Sequence, residues 1–367
     1  MATPLRVAVI GRTGRGDYGH AIDTVWAEVP ETQVVAVADD DRMGLAAAAK
    51  RLNIEHAFAD YRQMLDEIKP DVVAIAPRWV DQHRDMTVAA AERGIHIFME
   101  KPFCRSPAEA DEIVAACERT HTKLAIAHQT RYSPKIDIIR GMIADGRIGR
   151  VLELRGRGKD DQRGGGEDLF VLGSHIMNLI RTFGGDPTWC FGTLLSEGHS
   201  VTRADVKDGP EGLGPLAGDN VRAMYGMPDG ITAYFNSVRG GGKSSRFGLV
   251  ICGTAGLIEI DTGYLPNVKY LDDPNWSPGR SGKQWQDVSS AGLGEPEPLT
   301  DGSALAGNKV AVLDLLDAIR ENREPKCGMY DARATIEMIM AVFASHREQG
   351  PVKMPLANRQ NALAMLG

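Results

Sequence analysis

The stretch Leu5-Arg6-Val7-Ala8-Val9-Ile10, running into Gly11-Arg12-Thr13-Gly14-Arg15-Gly16-Asp17-Tyr18-Gly19, decides the fold. Its apolar run shows no alternation, which is the pattern of a strand buried on both faces. A literal G-x-G-x-x-G falls at Gly14, Gly16 and Gly19. A turn that begins at the strand's end instead places the three phosphate-loop positions at Gly11, Thr13 and Gly16. Thr13 in the middle restricts how closely backbone approaches a pyrophosphate, and Arg12 and Arg15 offset this by reaching phosphate oxygens. Asp39 ends the next apolar run and follows Gly16 by 23 residues, near the ~20 expected of an acid that accepts hydrogen bonds from a ribose diol. A carboxylate there repels a 2′-phosphate, so NAD is favoured over NADP, with Arg42 leaving a smaller opening for NADP. The alternative is that Asp39 begins a turn and caps the following helix.

Outward from this loop, short Val/Ile/Ala-rich runs alternate with amphipathic stretches. Strands are predicted at 5–10, 33–38, 72–76, 95–99 and 124–127, and helices at 21–28, 42–52, 82–93 and 108–120. Ser106 followed by Pro107 reads as a helix start. The alternation predicts an α/β domain, a doubly wound parallel Rossmann sheet over residues 1–127. Beyond it the rhythm changes. Helices are predicted at 135–144 and 169–183 and a strand at 151–157. Runs at 189–195, 221–224, 231–236, 247–252 and 257–260 then follow one another without helices. Residues 128–367 therefore read as an α+β domain with a large, mostly antiparallel open sheet. Residues 261–308 look irregular, and two helices, 309–320 and 332–345, close the chain.

Composition narrows the function classes. The chain of 367 residues is 43% hydrophobic and 25% charged, ordinary for a globular protein. A net charge of −7 with no run of basic residues argues against nucleic acid and anionic membranes as partners. The five cysteines have no metal-ligand or redox spacing, so no metal is expected and a reducing, cytoplasmic setting fits. No apolar stretch reaches the ~18 residues of a membrane span.

Glu100-Lys101-Pro102 follows the run 95–99 directly. Ligands bind beyond the carboxyl ends of strands in open α/β sheets, and Lys101 stands at such an end with Pro102 restricting its backbone. With these features the chain resembles the glucose–fructose oxidoreductase/inositol dehydrogenase (Gfo/Idh/MocA) family. The resemblance rests on Val7–Ile10 with its loop, Val35–Asp39, Asp71–Pro77 with His83, and Gly94–Pro102. In the second half it rests on Gly164–Gly166, Gly173-Ser174-His175 and Gly253-Thr254-Ala255-Gly256, so that it spans roughly residues 5–260. It implies a nicotinamide cofactor contacted by Gly11, Arg12, Thr13, Gly14, Gly16, Asp39, Pro77, His83, Glu100 and Lys101. It also implies oxidation of a sugar or cyclitol hydroxyl, Lys101 touching both substrate and cofactor, and assembly as homodimers or homotetramers. His83 has helix-face packing as its alternative role.

His175 lies among Leu172, Ile176, Leu179 and Phe183 on a predicted helix. A lone histidine there is usually a core residue, but the family match makes it the base that takes the hydroxyl proton, for which imidazole is suited near neutrality. The family often places Asp four residues before and three after this histidine, where Val171 and Asn178 stand here. Asp168, seven residues earlier, is two turns away, on the same face but about 10 Å along the axis. It is either a replacement acid or a helix cap, and Glu167 is similarly open. Gln129, Arg131 and Tyr132 suit a polyhydroxylated ligand. Arg157, with Arg155 and Lys159, adds positive charge for an acidic substrate or is simply solvated. The resulting expectation is an NAD-dependent oxidoreductase acting on a sugar, sugar acid or cyclitol. The alternative is a redox-assisted glycosidase or lyase working through a transient keto intermediate.

Overall fold

The computed structural model describes residues 3–241 and 247–367. Two compact units divide the chain: residues up to Gln129 with Pro210–Leu213 and Ala304–Ile336, and Thr130–Gly209 with Gly214–Ser303 and Glu337–Gly367.

The first unit is built on six parallel strands, β1 (Leu5–Ile10), β2 (Thr32–Ala38), β3 (Ala57–Phe58), β4 (Val72–Ile75), β5 (His96–Met99) and β6 (Leu124–Ile126), in the order β3-β2-β1-β4-β5-β6. Val7–Ile10 and the whole of β4 are buried, as helices on both faces require. The order reverses between β1 and β4, the switch point at which such sheets open a crevice beyond their carboxyl ends. Helices α1 (Arg42–Leu52), α2 (Tyr61–Ile68), α3 (His83–Ala91) and α4 (Pro107–Thr120) cover the sheet. Three of their starts are capped by side chains: Asp41 accepts from Gly44 N, Asp60 from Arg62 N, and Ser106 from Glu109 N.

Two local expectations fail here. Residues 57–68, unassigned from sequence, form β3 and α2, which are only two and eight residues long. The helix expected at 21–28 is absent. Residues 13–24 run as successive turns, and a 3₁₀ turn, Val25–Glu28, follows. Ala21 at φ 61° lies in the left-handed region, which interrupts any helix there. A third difference concerns the chain's return. Helix Ala304–Glu321, read as part of the second domain, belongs to the first unit, with Ala311, Val312, Leu315 and Leu316 buried. Its Lys309 and Arg320 pair with Glu28 and Glu31, and Cys327 O accepts from Ile126 N at the edge of β6.

The second unit holds α5 (Pro134–Ala144), β7 (Val151–Arg157), α6 (Gly166–Val171), α7 (Gly173–Gly184) and β8 (Trp189–Ser196). Among the described residues its main sheet has eleven strands. β7 runs parallel to Thr232–Val238 and antiparallel to Gly248–Gly253, while the remaining pairings are antiparallel. The single helix predicted at 169–183 is two, joined at Leu172. Part of the stretch read as irregular is also ordered: Val268–Leu271 extends the sheet beside Leu257–Asp261.

Candidate active site

Beyond the carboxyl ends of β1 and β2 lies an open cleft of about 240 Å³, lined by residues that include Gly11, Arg12, Asp39, Asp40, Tyr61 and Arg62. It stands where the switch point predicts a ligand. The loop that shapes it is held by its own side chains. The Tyr18 ring lies against Gly11, where a Cβ would come within 2.1 Å of it, and the Tyr18 hydroxyl donates to Asp39 Oδ2 at 2.9 Å. Burial, with Asp39 alongside, pushes the Tyr18 phenol far above its ordinary range. Thr13 donates to Asp39 through both its backbone N and its Oγ1. Gly16 sits at φ +88° with the Arg78 amide where a Cβ would go, so its glycine serves the loop's own packing.

The loop amides are also engaged internally. Arg12, Thr13, Gly14, Arg15, Asp17 and Gly19 donate to loop carbonyls, to Asp17 or to Asp39, and His20 N donates to Glu100. With no α-helix after β1, the loop lacks the helix N-terminus that usually receives a pyrophosphate. Positive charge is present instead as side chains. Arg12 is buried with Nη1 on Asp81 at 2.9 and 3.1 Å, and Arg15 stacks over Trp79 at 5.4 Å. The cleft therefore fits an adenosine, with acids for a ribose and Tyr61–Arg62 as an aromatic and cationic wall.

At the end of β5, Glu100 is 1% exposed and accepts from His20 through Nδ1 and the backbone N, at 3.1 and 3.2 Å. Burial alone would raise its carboxyl, but the His20 hydrogen bond and the Lys101 ammonium bring it below the usual range. Lys101 is itself buried, at 8% exposure. Burial and the Lys101 charge push His128 down to about 3, so this imidazole stays neutral. His20 O accepts from Asn308 Nδ2 at 2.7 Å, and Asn308 Oδ1 accepts from Gln129 Nε2 at 3.4 Å. His20 and Asn308 were not singled out from the sequence. A histidine immediately after the loop's last glycine was the available signal for the first, while Asn308 lies 288 residues from its partner and left none.

His83 is fully buried, its Nε2 2.7 Å from Pro77 O and its Nδ1 2.7 Å from Pro102 O. It ties the loop after β4 to the loop after β5, which makes it a brace for Lys101's surroundings. His83→Ala is expected to leave at least one buried carbonyl short of a donor, at about 1–3 kcal/mol. Its melting temperature should fall by several degrees in a thermal scan, and an unchanged transition would contradict the brace.

In the second unit, His175 on α7 is half-buried and meets Phe247 edge to face at 6.2 Å. Asp168, on α6, keeps Oδ1 buried without a hydrogen-bond partner. That carboxylate is fully buried, and its Oδ2 accepts from Ser237 Oγ and from Asp160 N. Burial raises its pKa against the lowering effect of those donors. Arg157 is likewise engaged, donating to Asp160 at 2.6 Å, with Asp160 also accepting from Val238 N. The expected surface charges Arg155 and Lys159 pair with Glu153 and Asp161. Glu167 is half-buried on α6, Tyr132 is buried, and Arg131 keeps Nε and Nη1 buried without a hydrogen-bond partner.

Comparison with known proteins bears on the fold. Residues 5–128 match the Gfo/Idh/MocA oxidoreductase family, described by its NAD-binding Rossmann fold. That match covers the six-stranded sheet of the first unit. Similar curated proteins include D-apiose dehydrogenase of Paraburkholderia graminis, 31% identical over 49% of this chain and 51% of that protein. Levoglucosan dehydrogenase of Pseudarthrobacter phenanthrenivorans is 26% identical over 68% of this chain and 72% of that protein. This chain thus spans about half the length of the first relative and nearly three quarters of the second. A solved levoglucosan dehydrogenase in complex with NADH and levoglucosan superposes with a TM-score of 0.78 at 21% identity, covering 96% of this chain and 100% of that one. That likeness extends the shared fold through the second unit. Among the described residues no helix is long and apolar enough to cross a membrane, and no group of three or more His, Cys, Asp or Glu could hold a metal ion.

Proposed function

We propose that this chain is an NAD-dependent oxidoreductase moving hydride between a hydroxyl-bearing carbon of a sugar, sugar acid or cyclitol and the cofactor. The observation that carries the proposal is Lys101, buried beside the ionised Glu100 at the carboxyl end of β5 in a Rossmann unit with an adenosine-sized cleft. When bound, NAD supplies the hydride acceptor. Lys101 hydrogen-bonds to the reacting oxygen and stabilises the negative charge that grows there as its proton leaves. His175 receives that proton. Gln129, Arg131 and Tyr132 hold the other hydroxyls, and the two unpartnered nitrogens of Arg131 favour a substrate rich in acceptor oxygens. The first unit is the dinucleotide domain in this proposal. The second binds substrate and, through its large sheet, pairs with further copies of the chain. Among the described residues all five cysteines are buried and none is in a disulfide, which supports a reducing, cytoplasmic setting.

Val171 and Asn178 keep a second reading open, a redox-assisted elimination that leaves no net NADH. The distinguishing experiment incubates the protein with NAD and a panel of aldoses, sugar acids and cyclitols, following NADH absorbance and product together. One NADH per oxidised product is expected. Product without NADH would establish the elimination instead.

A further inference from the structure

We infer that Asp40, rather than Asp39, is the carboxylate that reads the adenosine ribose and excludes NADP; this rests on the dinucleotide reading above. A carboxylate offers about four lone-pair sites. Asp39 is 2% exposed, and its oxygens are occupied. Oδ1 accepts from Thr13 N at 3.1 Å and Asp41 N at 3.0 Å, while Oδ2 accepts from Thr13 N at 3.1 Å, Thr13 Oγ1 at 2.7 Å and Tyr18 OH at 2.9 Å. A ribose diol bringing two donors would have to displace Thr13 Oγ1 and Tyr18, the two side chains that shape the loop. Asp39 is thus the loop's anchor.

Asp40 has the opposite character. Its side chain is 60% exposed and lines the same cleft. Among the described residues its hydrogen-bond partner is Arg12, whose Nε lies at a long 3.4 Å. Its oxygens are therefore available to both hydroxyls of a ribose. A 2′-phosphate entering the cleft meets this charge, and Asp60 also lines the cleft. Arg12 is the latent counterweight. With Nη1 fixed on Asp81, it keeps its Nε toward position 40, and that N–H faces an incoming phosphate once Asp40 is neutral.

The test is an equilibrium fluorescence titration of wild type, Asp40→Asn, Asp39→Asn and Asp60→Asn with NADH and with NADPH, alongside thermal melts. Wild type should prefer NADH, and Asp40→Asn should shrink the ratio of the two Kd values by about tenfold or more. Asp60→Asn makes the same charge change at the start of α2, where asparagine still caps, and should leave the ratio within about twofold. Asp39→Asn should lower the melting temperature and weaken both nucleotides alike. If it does not fold, the anchoring role stands and the comparison of positions 40 and 60 decides selectivity. A ratio unchanged by Asp40→Asn, or shifted as much by Asp39→Asn or Asp60→Asn, overturns the assignment of Asp40. Failure of wild type to bind either nucleotide overturns the dinucleotide reading itself.

Discussion

Lys101→Met is expected to lower kcat by about 10²–10⁴-fold while the melting temperature stays within a few degrees. Lys101 is 8% exposed, so its stem is packed and methionine replaces it with a flexible apolar chain of similar length. What disappears is the ammonium. Its field helps keep Glu100 ionised and His128 neutral, so the charge is felt by both groups that flank the end of the sheet. Glu100 retains its two hydrogen bonds from His20, which is why folding survives. Lys101→Arg keeps the charge but changes its shape and reach, and should recover only part of the rate. A fully active methionine variant would remove Lys101 from the chemistry. A large melting shift with proportionate loss of activity would make the residue structural.

The second large effect is on stability. Asp168→Ala should lower the melting temperature by several degrees, because it strips the acceptor from Ser237 Oγ and from Asp160 N in a fully buried setting. Each donor left unsatisfied costs about 1–3 kcal/mol. Ser237 Oγ also accepts from Gly165 N, and Asp160 also holds Arg157 and Val238 N. The loss therefore spreads to the loop 158–165 and its seat on the strand Thr232–Val238. Asp168→Asn preserves an acceptor of the same shape and should recover most of the stability. Thermal melts of both variants decide the matter. If alanine leaves the transition in place yet abolishes turnover, Asp168 is catalytic after all. The same burial argument bears on placing an acid near His175: Val171 is 4% exposed, so Val171→Asp would bury a carboxylate before it could tune the imidazole.

Much of the first unit was legible because its signals are local. β4 is a continuous apolar run, β1 and β5 are apolar apart from Arg6 and His96, and Ser106-Pro107 announces α4 by capping chemistry alone. The turn-rich replacement of the first helix was not legible. Ala21, Ile22, Val25 and Trp26 have a helical spacing, but Tyr18 is drawn to Asp39 and His20 to Glu100, contacts 21 and 80 residues apart in sequence. Asp39 stood out by its spacing from Gly16. Spacing says nothing of how many donors already surround a carboxylate, and that is what transfers the ribose to Asp40. Asp168 was similarly ambiguous, since an acid after three glycines reads equally as cap or catalyst. Its Oδ2 is seated on Ser237 Oγ and Asp160 N, and Gly165, not Asp168, stands at the helix start.

In the proposed reaction hydride leaves a sugar-type carbon and stays on the nicotinamide. This transfer is tested most directly by a turnover with NAD and a substrate from the panel carrying deuterium at the reacting carbon, with mass analysis of the released cofactor and product. The expected result is one deuterium on the released reduced cofactor and none at that carbon of the ketone or lactone product. Deuterium returned to the product, with the cofactor still oxidised, would contradict net oxidation.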